Sequence, residues 1–222
     1  IQDRVFLGGE YVDPSYKARR EGLFVVAIDC RRAAATCFCH SMGCGPAAGP
    51  GFDLALTEFP DRFACRVGTP RGRAVWERVR AAGAQIVPCS AAEAAAARDV
   101  PRALEARMRA RTAVPGEPAP RSLDTAGIRD LLFDNLEHPR WDDVAARCLS
   151  CTNCTAVCPT CFCASVTEVA DLAGDRVDRE RHWASCFSLD HSRMHGTSVR
   201  GTTASRYRQW LTHKLAGWID QF

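Results

Sequence analysis

The sequence predicts an α+β protein in two parts: an α/β part over residues 1–113 and a mostly helical part over 121–222. Three observations predict it. Short apolar runs bounded by Gly, Pro and Asp fill residues 24–68 and read as strands. Segments of helical spacing follow, one of them opened by a capping signature. A Pro-rich stretch, Val114-Pro-Gly-Glu-Pro-Ala-Pro120, reads as a semi-rigid linker over 114–120.

The elements follow in order. Residues 24–29 read as a buried strand ending at Cys30, and a loop rich in Cys, Gly and Pro runs from Cys30 to Gly51. Two strands are predicted over 52–59 and 62–68, around Pro60-Asp61. A helix over 70–82 places Val75, Trp76 and Val79 on one face, with Gly83 as its stop. A short strand is predicted over 84–88. Residues 90–112 read as a helix opened by Ser90 with Glu93 three residues on; Pro101 is expected to restart it. Beyond the linker, helices are predicted over 124–137 and 139–149. An extended stretch (162–172) and a His-bearing loop come next. A last helix starts near Ser205, where Tyr207, Trp210, Leu211, Leu215, Trp218, Ile219 and Phe222 form one apolar stripe, read as a core face.

With 222 residues, the chain has room for one large domain or two small ones. Hydrophobic residues make up 46% and charged residues 25%, which excludes wholesale disorder. The longest apolar stretch, Leu23 to Ile28, falls far short of the roughly 20 residues of a membrane helix, so no membrane span is expected. No secretory signal opens the chain. The net charge of +3 comes with no concentrated basic face, which argues against nucleic acid as a partner. Lys17 and Lys214 are the only lysines among 29 basic residues, a compositional bias from which no function follows. The chain begins at Ile1 without Met and ends inside a helical pattern, and so reads as a fragment.

Cysteine is the outlier, at 13 residues. An odd count without an export signal points to metal or redox chemistry in the cytoplasm rather than to a disulfide framework. Cys148-Leu-Ser-Cys151-Thr-Asn-Cys154-Thr-Ala-Val-Cys158-Pro159 has the C-x2-C-x2-C-x3-C-P spacing of a ferredoxin-like [4Fe–4S] site. Two-residue spacings let thiolates curl around one cube, and tight turns aim backbone N–H groups at its sulfurs. The fourth Cys of such a run ordinarily reaches a second cluster. No second run appears before Phe222, so either Cys161, Cys163 or Cys186 substitutes locally or the chain stops short of it. Upstream, Cys30, Cys37 and Cys39 lie in one loop and can supply three more ligands. Cys65 and Cys89 read as core thiols. Two other classes compete: a zinc-stabilised, non-redox interaction module, whose separated knuckles this run matches poorly, and a thiol–disulfide sensor.

Four blocks together resemble one family: Thr36-Cys-Phe-Cys-His-Ser-Met-Gly-Cys-Gly-Pro46, Gly51-Phe-Asp-Leu-Ala-Leu-Thr57, the run from Cys148 through Cys163, and Ser205-Arg-Tyr-Arg-Gln-Trp-Leu-Thr-His-Lys-Leu215. It is the 4Fe–4S dicluster subunit family, which includes the beta subunit of cytoplasmic nickel–iron sulfhydrogenases (sulfur reductases) and the electron-transfer subunit of anaerobic sulfite reductase. The resemblance implies an iron–sulfur electron-transfer subunit with one to three [4Fe–4S] clusters in the full-length protein. Such a protein relays electrons between a flavin-bearing partner and a catalytic metal subunit, and has no general acid or base of its own. It also implies that Cys148, Cys151 and Cys154 bind one cluster and Cys158 the other of a pair. Cys30, Cys37 and Cys39 would bind a further cluster with an upstream Cys, and the family's second run would lie beyond Phe222. Cys44 departs from the small polar residue expected there, and is either incidental or a replacement ligand.

Other signals carry less. The Gly43-Cys-Gly45 and Gly49-Pro-Gly51 pairs lack the strand–glycine–helix order of a nucleotide loop; they read as glycines that let the backbone wrap around the Cys37–Cys39 loop. His182, His191 and His195 read as ordinary loop histidines. Arg193, Arg200, Arg206 and Arg208 read by default as a solvated face, with offset of a negatively charged cluster or docking of an acidic partner as the alternative.

Overall fold

The computed structural model describes residues 1–112 and 120–221. The expected linker over 114–120, apart from Pro120, lies outside the described residues, as does Phe222. The chain divides into two compact units, one of residues 1–18 with 127–222 and the other of residues 19–126. Residues 1–18 do not join the first part, as the sequence suggests; their contacts are with the second. Gln2 donates to the Cys161 carbonyl at 2.8 Å, Arg4 pairs with Asp220 at 2.8 Å, and Arg181 pairs with Asp13. The short helix α1 (Gln2–Phe6) and the start of α2 (Pro14–Gly22) supply or flank these residues.

The unit of residues 19–126 is built on a three-stranded sheet of order β1 (Val26–Asp29), β2 (Leu54–Glu58), β3 (Phe63–Val67). β1 runs parallel to β2 with Val26 opposite Leu54, and β3 runs antiparallel to β2 with Leu54 opposite Val67. Leu54, Ala55 and Thr57 of the central strand are buried. Asp53, at the head of β2, accepts hydrogen bonds from the Thr69 hydroxyl and the Val25 N–H; these hold its carboxyl below the usual range and tie both ends of the sheet together. Thr69 also caps α3 (Pro70–Ala81) by accepting from the Gly72 N–H, and Pro70 suits the first helical position. Gly72 is required there: a Cβ would lie 2.0 Å from the Asp53 carbonyl oxygen.

The capping box appears at Ser90 and Glu93, opening α4 (Ala91–Arg109). Pro101 does not restart this helix but sits inside it. Ala97, Pro101, Leu104 and Met108 form its buried stripe, and packing on that stripe offsets the hydrogen bond that proline cannot make. The strand expected over 84–88 is absent. Val87 is 78% exposed, Pro88 has no N–H to donate, and neither sheet edge takes this segment as a partner. Cys89 in the same loop is exposed rather than a core thiol, and Cys65 on β3 is half-buried.

In the unit of residues 1–18 and 127–222 the two predicted helices are shorter than expected, α5 (Ile128–Asp134) and α6 (Arg140–Ala145), and a one-turn helix not predicted from sequence, α7 (Asn153–Ala156), lies inside the cysteine run. This part also holds more strand than expected. The extended stretch is β4 (Ala164–Ala170), and it pairs antiparallel with β5 (Val177–Trp183), which places His182 on a strand. A two-residue ladder joins β6 (Arg193–Met194) to β7 (Thr197–Ser198). The last helix, α8 (Thr203–Thr212), passes into a π turn over His213–Gly217. Its stripe enters an aromatic core with Trp141 and Phe187, in which Tyr207 and Trp210 lie 5.5 Å apart between ring centroids. The chain is thus a mixed α+β protein. No helix among the described residues is long and apolar enough to cross a membrane.

Candidate metal centre

All 13 cysteines are free thiols. The fold gathers eleven of them into three neighbourhoods, one in the unit of residues 19–126 and two in the other.

The first neighbourhood follows β1. Asp29, at the strand end and 2% exposed, accepts from the Ala48 N–H at 2.7 Å, the Thr57 hydroxyl at 2.6 Å and the Arg66 guanidinium at 3.1 Å. The Cys30 N–H donates to the Pro46 carbonyl at 2.9 Å. These bonds close the loop that carries the thiols. Arg111 donates to the Ala33 and Ala34 carbonyls, and Arg109 to the His40 carbonyl. Burial pushes the Cys39 thiol up, and the Cys44, Cys30 and Cys37 sulfurs push it further. The three thiols singled out from sequence therefore stand together, and Cys44 stands with them. Its thiol donates to the Cys39 carbonyl at 3.6 Å.

The second neighbourhood is the loop from Cys148 to Cys154. Ser150 (φ 51°) and Thr152 (φ 65°) take left-handed backbone conformations, which turn the chain back on itself twice in a short stretch. The first of these turns aims the Ser150 N–H at Cys148 Sγ, 3.5 Å away. Burial raises the Cys154 thiol, and the Cys148 and Cys151 sulfurs add to that. From α8, Arg206 reaches the Ser150 hydroxyl at 3.5 Å and the Arg200 and Gly201 carbonyls. Arg206 is not part of a solvated face. It is 6% exposed, because its guanidinium satisfies carbonyls at the helix entrance and braces the cysteine loop.

The third neighbourhood joins Cys158 with Cys161, Cys163 and Cys186. Lys214 donates to Cys158 Sγ at 2.7 Å, and the Thr160 hydroxyl lies 2.9 Å from the same sulfur. Burial raises the Cys158 thiol, but these bonds more than offset it and bring the thiol down to about 7. Lys214 is itself held in its charged form: burial opposes this, and the Cys158 and Cys161 sulfurs favour it more strongly. Cys186 is pushed up to about 12, first by burial and then by Cys163, Cys161 and Cys154. Cys161, Cys163 and Cys186 line one cavity together with Trp210, Lys214 and Trp218.

Sequence reasoning missed Lys214 and Thr160, and it named Arg206 without its place beside the Ser150 loop. One signal for Lys214 was present: it is the one lysine in the C-terminal half of a chain that otherwise uses arginine.

The donor sets fit an iron–sulfur cluster. They are all thiols, the soft ligands such clusters take, and a backbone N–H already points at one of the sulfurs. Among the described residues, no three His, Cys, Asp or Glu side chains converge on a single metal ion.

Comparison with known proteins agrees with this chemistry. A family model, the 4Fe–4S dicluster domain, matches residues 147–222. The chain is 34% identical over 210 residues to sulfhydrogenase 2 subunit beta of Pyrococcus furiosus, an alignment that covers 94% of this chain and 57% of that relative. The chain thus spans a little over half the length of the curated relative it matches. No solved structure matches it.

Proposed function

Since the chain belongs to the 4Fe–4S dicluster subunit family, we propose that it is the iron–sulfur electron-transfer subunit of a multi-subunit oxidoreductase of the sulfhydrogenase type. In this reading it works in the cytoplasm, between a flavin-bearing partner and a catalytic metal subunit, and its C-terminal unit is a ferredoxin-like domain. The chain's cofactor is the [4Fe–4S] cluster. A bound cluster supplies one-electron transfer with potentials set by its surroundings.

The chain's own residues do the rest. Cys148, Cys151 and Cys154 hold one cluster, and Cys158 holds another. Cys30, Cys37 and Cys39 hold a further one, with Cys44 in reach of the same site. The Ser150 N–H, on the first left-handed turn, stabilises charge on the Cys148 sulfur. Tyr207, whose hydroxyl feels the Cys148 and Cys154 sulfurs, packs with Trp210 and Phe187 in an aromatic cluster on one side of the run. The binding of electrons, not of substrate, is the role these groups serve.

The observation that carries this reading is the thiol trio of residues 148, 151 and 154 on one tightly turned loop, with the Ser150 N–H on the first sulfur. Full-length protein purified without oxygen is expected to bleach reversibly on reduction by dithionite and to develop the paramagnetic resonance signal of a reduced [4Fe–4S] cluster. Cys151→Ala is expected to lose one such signal. A colourless protein with no signal overturns the proposal.

A further inference from the structure

We infer that Lys214 is a positioning residue that raises the reduction potential of the cluster bound through Cys158, by holding an ammonium against that ligand's sulfur. The inference rests on the reading of Cys158 as a cluster ligand.

The geometry is specific. Lys214 Nζ lies 2.7 Å from Cys158 Sγ and 3.3 Å from the Thr160 hydroxyl, whose oxygen is in turn 2.9 Å from the sulfur. The ammonium also stands 5.6 Å from the Trp210 ring centroid, where the π face favours a cation. Its alkyl stem leaves the π turn over His213–Gly217, so the backbone there sets where the charge sits. The residue is only partly accessible, lining the cavity with Cys161 and Cys163. A charge held at hydrogen-bond distance in such a setting is poorly screened.

The effect has a definite sign. Reduction adds one electron, and hence one negative charge, to the cluster and its thiolates; no proton moves and Nζ keeps its three. An adjacent positive charge stabilises the reduced form more than the oxidised form, so the potential rises. The trio of residues 148, 151 and 154 has a backbone N–H and the guanidinium of Arg206 at Ser150, but among the described residues no ammonium stands at hydrogen-bond distance from a sulfur there. The ammonium therefore sets the Cys158 cluster apart as the more easily reduced.

The test is a redox titration of anaerobically purified full-length protein followed by paramagnetic resonance. Lys214→Gln keeps a donor and removes the charge. It is expected to shift one cluster's midpoint to more negative potential and to leave the others in place. Lys214→Arg, which keeps the charge, is expected to stay near wild type. If Lys214→Gln binds wild-type amounts of iron and sulfide and titrates at wild-type potentials, the inference is wrong. A Lys214→Gln protein that loses one cluster while Lys214→Arg also loses it is equally against it, because charge would then not be the property that matters. Wild-type protein with no iron and sulfide overturns the reading beneath it instead, and the two failures are told apart by metal content alone.

Discussion

The Ser150 N–H donates to Cys148 Sγ across 3.5 Å, and it can do so because Ser150 itself holds a left-handed backbone. A residue with φ of 51° is tolerated by serine and resisted by a β-branched side chain, at a cost of about 1–2 kcal/mol. Ser150→Val is therefore expected to lower the melting temperature and to release iron on gel filtration. Ser150→Gly should keep both at wild-type levels. Equal behaviour of the two variants would show that the turn does not depend on this conformation.

Asp29 supports the other cysteine loop from beneath. It is buried, and it bonds at once to the loop, the neighbouring strand and a guanidinium on β3. Hydrogen bonds to charged groups are worth about 1.5–3 kcal/mol each, and Arg66 is partly exposed and can turn to water when its partner goes. Asp29→Ala should lower the urea midpoint by an amount corresponding to about 3 kcal/mol. Fluorescence-monitored unfolding reads it directly.

Gly72 marks the closest approach of α3 to the sheet. Any Cβ there meets the Asp53 carbonyl, a backbone atom that has no rotamer to yield with. Gly72→Ala is expected to destabilise by about 1–3 kcal/mol, although alanine is the better helix former. A stability equal to or above wild type would mean that α3 does not sit so close.

The thiols differ in reactivity once iron has been stripped by chelator under reducing conditions. The Cys158 thiol, brought down to about 7, alkylates at a rate that rises through that pH, while Cys186, pushed up to about 12, stays inert. Lys214→Met should move the Cys158 profile toward higher pH. Folding stability carries the same sign. A thiol depressed in the folded protein stabilises it above the ordinary thiol pKa, and that contribution is lost as pH falls through about 7. Peptide mapping of alkylation against pH checks the first statement, and urea midpoints measured across the same range check the second.

How far sequence reasoning reached depended on whether the signal was local. The cap at Ser90, the stop at Gly83 and a strand before Cys30 are local, and the structure has them; that strand is not the buried one expected, since it sits at the sheet edge with Val26 and Ile28 exposed. β5 was invisible because Val177-Asp-Arg-Glu-Arg-His-Trp183 has no apolar alternation; pairing with β4, helped by Arg179 on Glu168, makes it a strand. Pro101 misled because the stripe shared with Ala97 and Leu104 outweighs one missing hydrogen bond. At the cysteine sites, spacing was enough to group residues 148, 151 and 154. It could not reveal Lys214 on Cys158 or Arg206 on the Ser150 loop, since each lies 56 residues downstream of its partner.

Iron and acid-labile sulfide, measured together on the full-length protein prepared without oxygen, test the central claim most directly. Near-equal amounts of the two, in multiples of about four per chain, are predicted. Stoichiometric zinc without sulfide, or cysteines paired as disulfides with no metal, would contradict it.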